Sequence, residues 1–158
     1  EELNLILNLS ALLLVNQDVK TANKVINQLN KSDIYYQENM GREWSLRKEM
    51  IRTLIFIDLT HIDLAEKNIS SIKNKYLDLF NTKQYKMVVP FLKALEKFIN
   101  EPENADLREL NNIEKLSNFK KEKVFRDPRL IMFYSWLKSK YTKKNTYKIL
   151  LNEYHSLG

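Results

Sequence analysis

The chain of 158 residues has no cysteine, two glycines and three prolines. Without cysteine there can be no disulfide, no thiolate nucleophile and no cysteine-ligated zinc. That absence is compatible with the cytoplasm, the location expected here. The glycines are Gly41 and Gly158, too few for a glycine-rich phosphate loop and too few for the tight turns of an all-β protein. The two histidines, His61 and His155, lack the paired spacing of a zinc site, so no metal and no cofactor is expected. No apolar run approaches the roughly 20 residues that span a bilayer; the longest, "ALLLV" at 11–15, sits inside a helical pattern. The chain begins Glu-Glu rather than Met, which points to a piece of a longer polypeptide.

What is present is an ordinary globular balance, 44% hydrophobic and 29% charged. A chain of this length can bury roughly 70% of its unfolded surface in one domain, and a single domain over 1–158 is expected. The net charge of +6 is unevenly placed. Residues 115–158 carry 11 Lys or Arg and three acids, a net of +8, whereas 1–114 carry 15 bases and 17 acids, a net of −2.

Apolar residues recur at helical spacing along nearly the whole chain. The pattern predicts helices over about 2–15 (Leu5, Leu9, Leu12 and Leu13 on one side), 18–30, 43–60, 62–80, 84–100, 106–118, 127–141 and 145–156. "NKSDIYYQENMG" at 30–41 reads as a polar and aromatic connection. Pro90 must start the regular part of its helix or kink it. Asp127 followed by Pro128 is a strong start signal, a cap and then a residue that has no donor to lose. The fold class is all-α: antiparallel hairpins over about 2–30, 43–80, 84–118 and 127–156.

"QDVKTANKVINQL" at 17–29 and "HIDLAEKNISSI" at 61–72 share a pattern at a shift of 43 positions. Val19 aligns with Ile62, Ala22 with Ala65, Lys24 with Lys67, Ile26 with Ile69 and Leu29 with Ile72. A short polar break, "NQD" or "LTH", precedes each. An alanine at that place lets the helices of a hairpin approach closely, and the larger residues four and seven positions on reach the next hairpin. A lone hairpin cannot hide its apolar face, so such units stack.

The small-x-x-x-large-x-x-large pattern at Ala22/Ile26/Leu29 and Ala65/Ile69/Ile72 resembles the second helix of the tetratricopeptide repeat. With "MGREWSLRKEMIRTLIFIDLTHIDLAEKNISSIKNKY" at 40–76, "VVPFLKALEKFI" at 88–99 and "DPRLIMFYSWLKSKY" at 127–141, the chain is similar to uncharacterised repeat proteins of Bacteroidetes-type bacteria. The Leu-Gly pair of the usual first helix and the closing proline are missing. The resemblance implies a short right-handed α-solenoid that binds other proteins, with no catalytic residues to carry over.

The residues themselves agree that an enzyme is not expected. Carboxylates such as Asp58, Asp63, Glu101 and Glu103 are scattered rather than paired in a shared cleft, and His61 and His155 read as turn and helix-end residues. Two surfaces remain as binding candidates. Arg47, Lys48 and Arg52 on the third expected helix line a groove that would grip an acidic or extended segment of another protein, and Arg42 at its start, near Tyr35 and Tyr36, marks a peptide-binding spot; Trp, Tyr and Arg dominate such interfaces. Trp44 reads as a plug between hairpins. The second is a basic patch of Lys120, Lys121, Lys123, Arg126, Arg129, Lys138 and Lys140, which fits phosphate backbones, anionic lipid or an acidic partner. Three functions follow: a protein–protein interaction scaffold, a nucleic-acid-associated module using the basic C-terminal quarter, or a structural cap of a longer array.

Overall fold

The computed structural model describes residues 1–82, 84–104, 106–117 and 128–156, the side chains of 116, 117, 128 and 129 excepted. Among them the regular structure is all helical. It comprises α1 (Glu2–Val15), α2 (Val19–Ile26), α3 (Asp33–Met40), α4 (Arg42–Asp58), α5 (Ile62–Lys75), α6 (Val88–Asn100), α7 (Leu107–Ser117), α8 (Pro128–Thr142) and α9 (Thr146–His155). None of these helices is long and apolar enough to cross a membrane. The chain forms two compact units, Glu1–Leu77 and Asp78–Gly158. The Asp127 cap lies outside the described residues.

In the first unit the same turn is built twice. α1 ends where Gln17 takes a left-handed φ of 65°, and α4 ends where Thr60 takes 59°. The next amide then reaches back over the helix end: Asp18 N–H donates to the Leu13 carbonyl and His61 N–H to that of Phe56, both at 2.9 Å. The turn residue donates to the carbonyl three back, Gln17 to Leu14 and Thr60 to Ile57, both at 3.0 Å. This is the six-to-one and five-to-two closure that satisfies the last carbonyls of a helix. The capping residues leave it with matching dihedrals, Asp18 at −86°, 66° and His61 at −85°, 65°. Upstream, the buried hydroxyls of Ser10 and Thr53 each donate to the carbonyl four residues earlier, at 2.8 and 2.9 Å. Ala22, Ile26 and Leu29 are buried, as are Ala65, Ile69 and Ile72. Every one of these pairs is 43 residues apart.

The second unit closes one hairpin the same way. Lys143 takes φ 54°, and Lys144 N–H donates to the Ser139 carbonyl at 3.1 Å. Asn145 then caps α9 by accepting from Lys148 N–H at 3.1 Å. Phe91 of α6 packs on Phe133 of α8, and Phe98 stacks on Tyr141. Pro90 is the third residue of α6, within the first turn, where its missing N–H breaks no ladder.

Two expectations are corrected here. The stretch 30–41 is not a plain connection: Asp33–Met40 is a helix, α3. Ser32 supplies the start by accepting from Tyr35 N–H at 3.2 Å, and Asp33 places a negative charge in the first turn, where the helix dipole favours it. The side of α1 marked by Leu5, Leu9 and Leu12 is not its core side. Those residues are 67%, 42% and 59% exposed, while Leu7, Ser10, Leu14 and Val15 are buried.

Candidate protein-interaction site

α4 is the centre of the first unit, and α3 lies across its beginning. The contact is built from aromatic rings. Tyr35 stands edge-on to Tyr36 at 5.3 Å between centroids, and Tyr36 faces Trp44 at 5.4 Å. The Trp44 indole N–H then donates to Asn4 Oδ1 of α1 at 2.9 Å. Tyr36 and Trp44 are buried, 1% and 3% exposed, and the Tyr36 hydroxyl accepts from Lys31 N–H at 3.2 Å. Trp44 therefore closes the seam where α1, α3 and α4 meet.

Beneath these rings lies a charged cluster. Lys48 is 1% exposed, so its ammonium must be compensated within the protein. It sits 2.8 Å from Glu49 Oε1 and 3.2 Å from Asp33 Oδ1, with its Nζ 4.5 Å from the centre of the Tyr36 ring. The other Asp33 oxygen takes Lys75 of α5 at 2.5 Å. Glu49 also draws Arg52, at 3.7 Å. Burial pushes the Asp33 carboxyl up, but the Lys75 and Lys48 ammonium groups outweigh it and hold the group below the ordinary range. Tyr76, buried beside the same acids, is pushed up to about 12, by loss of water first and then by the charges of Glu49 and Asp33.

This geometry revises the groove expected from the sequence. Lys48 is not an exposed gripping residue; α3 covers it and supplies its acid. Tyr36 is likewise buried, as an aromatic plug. Arg47 is half-buried, and so is Arg52, whose guanidinium donates to the Leu29 carbonyl at 3.4 Å. Asp33 and Glu49 of the chain itself supply the acids beside Lys48, and Glu49 the acid beside Arg52. Two of the six candidates stay at the surface. Tyr35 is 39% exposed. Arg42 is exposed, donates to the Lys75 carbonyl at 2.6 Å and holds its guanidinium 5.8 Å from the Tyr76 ring. It thus joins the last turn of α5 to the start of α4.

The sequence reading missed three members of this site. Asp33 and Ile34 fall in the stretch whose composition reads as a connection, though Ser-Asp before "IYYQENM" is a helix-start signal. Ile34 is 68% exposed and lies beside Tyr35, so α3 presents an apolar and an aromatic side chain to solvent. Glu49 carried no signal, because one carboxylate between charged neighbours reads as surface.

Of the expected basic patch, Lys120, Lys121, Lys123 and Arg126 lie outside the described residues, and nothing is described of the Arg129 side chain. Lys138 pairs with Glu153 at 2.6 Å and lies over the Tyr134 ring. Lys140 lies over the Trp136 ring at 4.9 Å. In the same unit Lys97 bonds Glu109 at 2.7 Å, and the Tyr141 hydroxyl donates to the second oxygen of Glu109 at 2.9 Å. No family model, curated protein or solved structure matches the chain.

Proposed function

We propose that the chain is a non-enzymatic protein–protein interaction scaffold, and that the face around α3 receives another protein. The observation that carries this reading is the exposed pair Ile34 and Tyr35, mounted on buried rings that run from Tyr35 through Tyr36 to Trp44. A large side chain already fixed by packing loses little entropy when a partner covers it, and Tyr and Arg supply much of the energy in protein interfaces. Arg42, also exposed, adds a cation at the start of α4, where it holds the Lys75 carbonyl. Lys48 and Arg52 are engaged by Glu49 and, for Lys48, by Asp33, so the partner chemistry that fits is apolar, with an acid only at its edge. Hairpins of this kind, stacked in chain order as a short right-handed α-solenoid of tetratricopeptide plan, belong to the same proposal. Its support is the turn repeated 43 residues apart with the same dihedrals and buried residues.

The test is a photo-crosslinking amino acid at Ile34, in cells that express the chain naturally. A discrete protein adduct that disappears with Tyr35→Ala plus Arg42→Ala supports the scaffold. No adduct from this position, with adducts forming from other exposed positions, overturns the α3 surface. Adducts that vanish on nuclease treatment would favour the nucleic-acid reading through the basic C-terminal quarter, whose binding should decline steeply as salt rises.

A further inference from the structure

Two apolar stripes lie open, one on the first helix and one on the last. On α1 the stripe is Leu5, Leu9 and Leu12, 67%, 42% and 59% exposed; on α9 it is Tyr147, Leu151 and Tyr154, 46%, 39% and 41% exposed. Both run at i, i+4 and i+7, the spacing of one helix face. Single exposed leucines are ordinary, whereas contiguous apolar faces mark contact surfaces.

The inner helices show what these faces ordinarily meet. At a shift of 43, Leu5, Leu9 and Leu12 fall on Lys48, Arg52 and Ile55 of α4. There the face is covered by the preceding hairpin and α3. Ile55 is fully buried, Lys48 lies against Tyr36 and Asp33, and Arg52 reaches the Leu29 carbonyl. Among the described residues the same face of α1 has no such cover. Counted from their caps, Asp18 and Asn145, the residues of α2 in the places of Tyr147, Leu151 and Tyr154 are Lys20, Lys24 and Asn27, a solvated polar face. α9 thus carries an apolar face where its counterpart is polar.

We infer that these faces receive each other between two copies of the chain, α9 of one copy lying on α1 of the next. α2 packs on α4 inside the first unit, and the new contact continues that relation: the second helix of one hairpin lies against the first helix of the next. As α2 runs back along α1, α9 runs antiparallel to the α1 it meets, setting Tyr147 by Leu12, Leu151 by Leu9 and Tyr154 by Leu5. Charge agrees with this pairing. Residues 1–19 contain three acids and no Lys or Arg, whereas 138–156 contain five Lys and one acid. The antiparallel arrangement brings exposed Lys143, Lys144 and Lys148 to the end of α1 that carries exposed Asp18. The faces differ from each other, so each contact joins α9 of one copy to α1 of another. The six side chains offer roughly 300 Å² on each partner, about 600 Å² in all, well below the ~1,200 Å² of a stable complex, so association is weak and grows with concentration.

The experiment is sedimentation of the chain from about 10 µM to about 1 mM, the range in which so small an interface associates. The average mass should rise above the 18.9 kDa of one chain and fall back with added salt. Leu9→Glu and Leu151→Glu, both at exposed sites, should each remain at the mass of one chain, with circular dichroism unchanged. Mixed in equal amounts, the two variants should form pairs and nothing longer, since each retains the face the other lacks. A wild-type mass that stays at one chain throughout overturns the inference, as does self-association of Leu151→Glu undiminished, which would place α1 against α1. Tyr154→Lys is the second variant for the α9 face. The inference rests on the stacked-hairpin part of the scaffold reading but not on the α3 surface. Loss of the Ile34 crosslink therefore leaves it standing, and a constant mass leaves the crosslink standing.

Discussion

Asp33→Ala is the substitution with the most specific consequence, because it removes the acid that α3 brings to a buried lysine. In the native fold Lys48 is 1% exposed and held by Asp33 at 3.2 Å and Glu49 at 2.8 Å. Breaking a fully buried pair by deleting one partner costs about 3–5 kcal/mol, since the other charge is left unpaired. Two features reduce that figure. The Asp33 side chain is 33% exposed, so water screens part of the interaction. Lys48 also keeps Glu49 and the face of Tyr36. The expected loss is therefore about 1–2 kcal/mol, seen as a lower urea midpoint with the slope unchanged. Lys48→Met should cost less than Asp33→Ala, because Asp33 retains Lys75 and Glu49 retains Arg52. In the double variant the cost should fall short of the sum by about 1 kcal/mol, the coupling between neighbours. If Asp33→Ala changed stability by less than about 0.5 kcal/mol, the size of an ordinary surface substitution, the assignment of Asp33 as the partner of Lys48 would be refuted.

Asp33 is held below the ordinary 3.8 in the folded chain, so the unfolded chain takes up its proton first as pH falls. The advantage of the native chain over Asp33→Asn is present above about pH 4 and shrinks as pH drops through the depressed value; urea midpoints of both at pH 7 and pH 3 measure it. Tyr76, raised to about 12, acts at the other extreme. Its contribution is complete below pH 10 and is lost between pH 10 and 12, as the unfolded chain releases that proton first, and Tyr76→Phe should flatten that alkaline decline. Thr60→Gly should raise stability by about 0.5–1 kcal/mol, because a β-branched residue at positive φ is strained and glycine is not. Gln17→Gly and Lys143→Gly should gain less, and the order of the three melting temperatures checks this.

The course of the chain was largely legible in its apolar periodicity. α4, α5, α8 and α9 begin within two residues of their expected starts, and the turns at 16–18 and 59–61 lie where the polar breaks are. α1 carries leucines on nearly every side, so spacing could not say which of them would find a neighbour. Lys48, Glu49 and Arg52 read as surface, because a sequence lists charges without showing that another charge will cover them. α3 was hidden by its brevity and its polar composition, and with it went the helix that fills the expected groove. The misplaced groove and the missed helix are one error: an eight-residue element supplies both the cover and the acid.

Within the first unit α1 and α4 are the first helices of two hairpins, and Leu12 is bare where Ile55, 43 residues on, is covered. The chain has no cysteine, so a single thiol can be placed at either of two positions 43 residues apart, by Leu12→Cys, 59% exposed, or Ile55→Cys, fully buried. In dilute solution, where copies do not associate, Leu12→Cys should react with a disulfide reagent at the rate of a free thiol. Ile55→Cys should be slowed about a hundredfold or more, reacting only when the unit opens. Equal rates at the two positions would contradict the account.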